Sequence, residues 1–560
     1  MHHSLTVRSK LIIMLSVMAS LFLVALDQTI ISAALGTIVE EFDAYSALSW
    51  IVTAYLITTT VTTPIAGKLS DLFGRRIMLL IGVSIFGGAS LFAGLSDSIG
   101  QLILWRAVQG IGGGIITANA FTIVGDLFNA RERGKWQGII GATFGVSSVV
   151  GPLLGGFLTE SHNLLGMTTD WRWTFFINVP IAIAAFVVIA IFCPQLRHAG
   201  KFKIDYIGVV LLSAALTLLV LSLENTAEIF EGFLASSGWS LAGLRVVLLS
   251  VVALLIAALV FVERRHEQPI LTLSFFTNKN FLLIMGIAMT VGAAMLGSIL
   301  YLTQFNQQVF GASPTESGLM LLPMIGGLMV TSIITGQLVA KTGHYKRFMI
   351  IGFLTAAIAI GALTTLTPES SYLHEAIIMV FVGVGIGAAM PLLNIAVQNE
   401  FSPKLLGAAT SSSQLFRGLG STIGVAVFGG LLTSGIVSSL GNIQDDAYIQ
   451  TLRASPAAER LTDLKDTNTL LNLNTVETKA AVRAQADTSL QNLPPQARDR
   501  QARKLEQQQA EYSDKITHAF SDSLRVIFLA TSGLMGLAFL MSLAITERKL
   551  RDTSTHEAMA

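Results

Sequence analysis

The sequence predicts an all-α polytopic membrane protein, and three observations predict it. Only 13% of the 560 residues are Asp, Glu, Lys or Arg, against about 25% in soluble domains. Hydrophobic residues reach 52%, with 50 Gly and 31 Phe. Apolar runs of nearly twenty residues recur along the whole chain, each able to cross roughly 30 Å of hydrocarbon. A soluble enzyme, a disordered chain and a disulfide scaffold are thereby excluded. The 36 basic and 35 acidic residues leave a net charge of +1, so nothing points to nucleic acid. The single Cys193 forms no internal disulfide, and no paired Cys/His spacing suggests a metal.

In order, the apolar runs lie at 11–36, 49–67, 77–96, 101–127, 136–159, 172–194, 204–224, 242–262, 281–305, 316–340, 348–367, 374–398, 407–434 and 521–545. The first is too long, and lacks the small-residue cleavage site, for a removable signal peptide, so it is expected to remain as the first span. One set of loops, from Arg8 and Lys10 through Arg75, Arg131 and Arg264 to Arg548, collects 21 of the 36 basic residues. The six short loops on the other side hold none. With an even number of spans this bias predicts that both termini are cytoplasmic and that the chain sits in the cell (inner) membrane. The six Trp fall near span ends, where an interfacial belt would place them. Residues 441–516 are polar and balance eleven acids against ten bases. They are predicted to stand outside the bilayer as a helical hairpin, with Pro494-Pro495 near its turn and the return helix running into the last span. A partly ordered solvated loop is the plainer alternative.

The chain also repeats. Gly67, Leu69 and Gly74 recur as Gly336, Leu338 and Gly343; Gly138, Gly151 and Gly155 recur as Gly407, Gly420 and Gly424. Every pair is 269 positions apart, which predicts two six-span bundles with two spans inserted between them. The bundles would be 1–200 and 271–560, with the inserted pair in 201–270.

Several motifs resemble the major facilitator superfamily, and within it the fourteen-span drug:proton antiporters. Gly67-Lys68-Leu69-Ser70-Asp71-Leu72-Phe73-Gly74-Arg75-Arg76 is similar to the signature loop after span two, with Leu72 in place of its first basic residue. Arg106-x-x-Gln109-Gly110-x-Gly112 resembles the span-four motif. Gly145, Gly151, Pro152, Gly155 and Gly156 resemble the antiporter motif of span five. Leu26-Asp27-x-Thr29 and Trp171-Arg172-Trp173-x-Phe175-x-x-Asn178-x-Pro180 are similar to subfamily segments, as is Gln398-Asn399. The resemblance implies a major facilitator fold with fourteen transmembrane helices and secondary active export of amphiphilic, often cationic, compounds in exchange for protons. It also implies that the Asp71 cluster bridges the two halves on the cytoplasmic face. No cofactor beyond the proton gradient is expected. The expected partners are small amphiphilic substrates, protons and the bilayer; the protein is expected to be monomeric, and a periplasmic adaptor is left open.

Physical reading adds roles to these residues. Asp71, just before span three, is placed to accept helix N-terminal N–H groups, with Arg75 and Arg76 to pair with it. The glycines of span five permit close helix approach, and Pro152 bends that helix. Asp27 and Arg106 lie at matching depths in spans one and four, roughly 24 Å from one face and 8 Å from the other in a core of about 30 Å. Charges there cost about 2.5–3.5 kcal/mol on the insertion scale, so they need a partner or a task. A nearby guanidinium favours an ionised Asp27 and burial a neutral one, so relative helix movement would act as a proton switch. A fixed structural ion pair is the plainer reading. Asp27 is expected to be the only deep carboxylate, with Glu160, Glu224, Glu316 and Glu375 near outer span ends. Arg417, near the midplane of span thirteen, would either orient substrate or bond to backbone carbonyls. Gln28, Thr29, Tyr55, Asn119, Met289, Tyr301, Gln304, Phe305, Met324, Asn394 and Gln398 are the remaining candidates for the substrate cavity. An exporter of lipid or another envelope metabolite is the alternative function. A membrane enzyme or sensor is disfavoured by the lack of a phosphate-binding loop, a His-Glu-x-x-His motif and a nucleophile elbow.

Overall fold

The computed structural model describes residues 6–550 apart from 43–47, 160–162, 165–166, 194–204, 224–225, 403–404, 441–442, 454–466, 475 and 490–493. The long helices are α1 (Val7–Glu41), α2 (Leu48–Phe73), α3 (Arg75–Gly94), α4 (Ile99–Leu127) and α5 (Glu132–Thr159), then α6 (Trp173–Phe192). They continue as α7 (Tyr206–Leu223), α8 (Leu241–Glu263), α9 (Lys279–Gln308), α10 (Leu322–Thr342), α11 (Lys346–Ala362), α12 (Tyr372–Glu400), α13 (Leu406–Leu440) and α14 (Pro495–Ala544). Among the described residues, 12 helices are long and apolar enough to cross a membrane. The other two long helices, α2 and α5, are rich in Thr and Gly, because their faces pack on other helices. Among the described residues all fourteen apolar runs are therefore helical. The one β feature among the described residues is a two-residue antiparallel pair, Asn163–Leu164 with Met167–Thr168.

Local chemistry sets the helix ends. Asn278 caps α9 by accepting from the N–H of Asn280 (2.9 Å), and Ser240 caps α8 through the N–H of Gly243 (3.1 Å). Ser313, Pro314 and Glu316 form a capping box at the short helix that leads into α10. Gly74 (φ 96°) and Gly343 (φ 72°) turn the chain between α2 and α3 and between α10 and α11. Both are in the left-handed region that favours glycine, at equivalent positions of the repeat.

The same offset explains how the halves join. It carries α2 onto α10 and α5 onto α13, and in the fold α2 packs on α13 while α5 packs on α10. The two largest contacts between the halves are thus one contact made twice. Glycine makes each possible. A Cβ on Gly67 would come within 2.9 Å of the Gly407 carbonyl oxygen, and one on Gly134 within 2.8 Å of that of Gly336. The inserted helices α7 and α8 pack on each other, and α7 leans on α2. Large apolar side chains such as Leu104, Ile191, Leu254 and Leu529 are exposed on the outside of the bundle, where hydrocarbon would cover them.

The return helix is continuous with the last span, as expected: α14 has 50 residues with Pro495 in its first turn. At 1.5 Å per residue it is about 75 Å long, far more than a bilayer core. The outward arm is not one helix. Ala447–Arg453, Thr467–Leu473 and Val476–Ser489 are three short helices laid against α14. Their core includes Tyr448, Ile449, Leu470, Leu473, Leu505, Tyr512 and Ile516, all buried. The Tyr512 hydroxyl donates to Leu470 O (2.9 Å), and Lys515 pairs with Asp446 (2.8 Å). The sequence also puts Leu461, Leu464, Val476, Ala480, Leu505, Tyr512 and Ile516 at helical spacing; of these Ala480 is exposed, and Leu461, Leu464 and the Val476 side chain lie outside the described residues.

Candidate functional site

Asp27 and Arg106 meet. Arg106 Nη1 donates to Asp27 Oδ2 at 2.5 Å, and both residues are 1% exposed. The α4 helix supplies a second donor one turn on: Gln109 Nε2 bonds Asp27 Oδ1 (2.7 Å). Asn178, at the start of α6, adds a third at 3.2 Å. Ser90 on α3 accepts from both amides (2.7 and 3.2 Å) and so orients them. Arg106 also donates to Ile51 O (3.2 Å) and Gln109 Oε1 (2.8 Å), and its guanidinium lies 4.4 Å from the Tyr55 ring centroid. Five helices therefore converge on one carboxylate. Its three donors are one cation and two neutral amides, so loss of its charge would remove the ion pair yet leave polar partners for the carboxyl group. Nearby, on the rim, Arg172 hydrogen-bonds Glu41 (2.8 Å) and holds that carboxyl below its usual range.

The second assembly sits where α2 meets α13. Asp71 accepts from the N–H groups of Gly407 and Ala408, both at 3.0 Å. These belong to the N-terminal turn of α13, in the opposite half, not of α3 as local sequence suggested. The distant helix wins because α3 begins after the Gly74 turn, whereas Gly67 lets the start of α13 close on α2. Arg75 backs the carboxylate at 2.5 Å and also bonds Asp126 at 2.6 Å and Ser70. Arg76 does not join the cluster; it donates to Ala190 O on α6. Asp126 was not anticipated, although an acid inside the 101–127 run was a usable signal. The repeat places Ala340 opposite Asp71, so the latch exists at only one of the two equivalent contacts. Asp71→Asn is expected to slow maximal transport more than it weakens apparent substrate affinity, since both Asp71 oxygens are engaged in the contact between the halves, by the start of α13 and Arg75. A changed affinity at unchanged maximal rate in a transport assay would count against this.

The span-five glycines form a seam on two sides. Gly151 packs against Thr29 of α1, whose Oγ1 donates to Ser147 O (3.0 Å), while a Cβ on Gly145 would meet Ile325 of α10 at 2.9 Å. The carbonyls of Gly155 and Gly156 accept from Thr159 (2.7 and 3.0 Å). The Pro152 side chain lies outside the described residues, as do Glu160 and Glu224.

The cavity candidates separate into two groups. Tyr301, Phe305 and Met324 are 2%, 1% and 3% exposed and belong to the packed core of the C-terminal half, so they do not line an opening. Asn119 is buried, with its amide bonded to Ile115 O within its own helix (2.8 Å). Gln28 is exposed, and Gln304 and Met289 are half-buried. Asn394 and Gln398, by contrast, sit between the halves. Gln398 donates to Phe121 O of α4 (3.1 Å), and Asn394 donates to Gln137 of α5 (3.3 Å) and accepts from Gln414 of α13 (3.0 Å). Gln137 and Gln414 were not read from sequence, because a single amide in an apolar run has no partner visible there. Arg417 lies over the Phe121 ring, 5.8 Å from its centroid.

Asp27 is not the only buried carboxylate. Glu375 is wholly buried, and both its oxygens accept from the Asn306 amide (2.8 and 2.9 Å) once that amide is oriented to donate. Its position near a span end was read correctly, but burial was set by α9 packing over it. Asp71, Asp205, Glu263 and Glu400 are buried as well.

Two pseudo-symmetric helical halves, a charge-bearing core and a one-sided latch between them define a multi-pass membrane transporter. The chain belongs to the Major Facilitator Superfamily, whose profile matches residues 17–425. It is 36% identical over 456 residues to the multidrug transporter protein MdtP of Bacillus subtilis (strain 168), covering 80% of each chain. It is 33% identical to multidrug resistance protein 3 of the same organism, covering 77% of this chain and 81% of that one. Its fold is similar to that of the proton:xylose symporter XylE, with TM-score 0.59, 15% identity and 98% of each chain covered.

Proposed function

We propose that this protein is a proton-coupled secondary active exporter of amphiphilic drugs or toxic compounds, working by alternating access. The observation that carries the reading is the buried Asp27 carboxylate, held by one cation and two amides from two other helices. A proton reaching Asp27 removes its charge and weakens its hold on Arg106, so α1 and α4 are released from each other. Substrate export then accompanies proton entry. Similarity to two multidrug transporters supports the drug-export part. The Lys/Arg-rich end, which carries the Asp71 latch, is the cytoplasmic one in the inner membrane. The latch closes that side, and its release opens the path for loading. The protein works as a monomer with the proton gradient as its energy source. The test is uptake into proteoliposomes driven by an imposed pH gradient, with a panel of dyes and lipids. Gradient-driven dye movement supports the reading; transfer of lipid alone favours an envelope-lipid exporter.

The packed segment against α14 guides substrate at the outer mouth. Replacing 445–512 with a short Gly/Ser linker is expected to leave insertion intact and to alter substrate range or export efficiency. Unchanged transport of every compound in the panel would remove that role.

A further inference from the structure

We propose that the middle of the bundle is an anion-recognising site, so that the amphiphiles carried bear a carboxylate, sulfonate or phosphate group. The inference rests on the exporter reading and narrows it to a substrate class. Arg417 lies eleven residues into α13, about 17 Å along the helix. Its backbone is fixed against α9: Ser421 Oγ donates both to Gly292 O (3.0 Å) and to Arg417 O (3.2 Å). Its guanidinium reaches across to the opposite half, over Phe121 of α4.

The buried arginines are committed. Arg106 pairs with Asp27, Arg75 with Asp71 and Asp126, and Arg133 donates to Phe128 O and Gly125 O. Among the described residues, no carboxylate pairs with Arg417 and its guanidinium makes no hydrogen bond within the chain. The side chain is only half-buried, and its nitrogens are not among the sealed polar atoms, so open space adjoins it. Asp27, the carboxylate of the N-terminal half, is already taken by Arg106. An entering ligand therefore meets an uncompensated positive charge on an aromatic face in a low-dielectric region, which attracts an anion and repels a cation. One turn earlier, Gln414 leaves its Oε1 without a partner, as does Gln398. Both oxygens are sealed here, so the charge of Arg417 alone carries the recognition.

The test uses the purified full-length protein in detergent and two probes with the same xanthene body, anionic fluorescein and cationic rhodamine 123. Binding is read by fluorescence anisotropy for wild type, Arg417→Gln and Arg417→Lys. The wild type is expected to bind fluorescein at least about tenfold more tightly than rhodamine 123. Arg417→Gln should lose that preference at an unchanged melting temperature, and Arg417→Lys should keep part of it. Equal or tighter binding of rhodamine 123 by wild type, or an unchanged ratio in Arg417→Gln, overturns the proposal. If Arg417→Gln fails to fold, the wild-type ratio and Arg417→Lys decide. Absence of any gradient-driven movement in proteoliposomes would defeat the exporter reading separately, because the binding ratio does not depend on transport.

Discussion

Replacing Asp27 with Asn is expected to abolish pH-gradient-driven transport while the protein still folds and inserts. Asn has nearly the shape of Asp and can still meet Gln109 and Asn178, which now bond Asp27 at 2.7 and 3.2 Å. Arg106 keeps Ile51 O, Gln109 Oε1 and the Tyr55 ring. What Asn cannot do is exchange a proton, so the α1–α4 contact no longer alternates between charged and neutral forms. Substrate binding in detergent should survive. Transport by Asp27→Asn at the wild-type rate under the same gradient would show that coupling lies elsewhere, with Glu375 the next carboxylate to examine.

Removing the cation instead should damage the fold. Arg106→Ala leaves Asp27 buried, with neutral donors only, and opens space against Tyr55. Breaking a buried ion pair from one side costs roughly 3–5 kcal/mol. The melting temperature in detergent should fall much further for Arg106→Ala than for Asp27→Asn. The double variant should recover part of the loss, because the stranded charge is gone. Equal melting temperatures for wild type and Arg106→Ala would mean that the pair contributes nothing to stability.

How much of this was legible in the sequence varies with the range of the interaction. Helices were legible because length and apolarity alone specify a span. The Asp27–Arg106 meeting was legible because depth follows from counting residues along two helices. Gln109 and Asn178 stood in recognisable motifs, yet nothing local showed that both would turn onto Asp27. The role of Asp71 was half legible: a helix N-terminus was expected, but the one it caps is 336 positions away, and only the repeat hints that α2 would meet α13. Tyr301, Phe305 and Met324 read like a ligand-binding mixture, but aromatic and Met side chains fill cores with the same chemistry. The return helix into α14 followed from Pro494-Pro495, whereas the broken outward arm depended on tertiary packing around Tyr448 and Tyr512.

The central claim is that binding substrate and binding a proton at Asp27 compete through the α1–α4 contact. The most direct measurement is proton release from the purified protein in weakly buffered detergent when a transported compound is added. Wild type should release protons in proportion to substrate bound, and Asp27→Asn should bind the same compound with no release. Release of equal size from Asp27→Asn, or none from wild type at saturating substrate, would contradict the account.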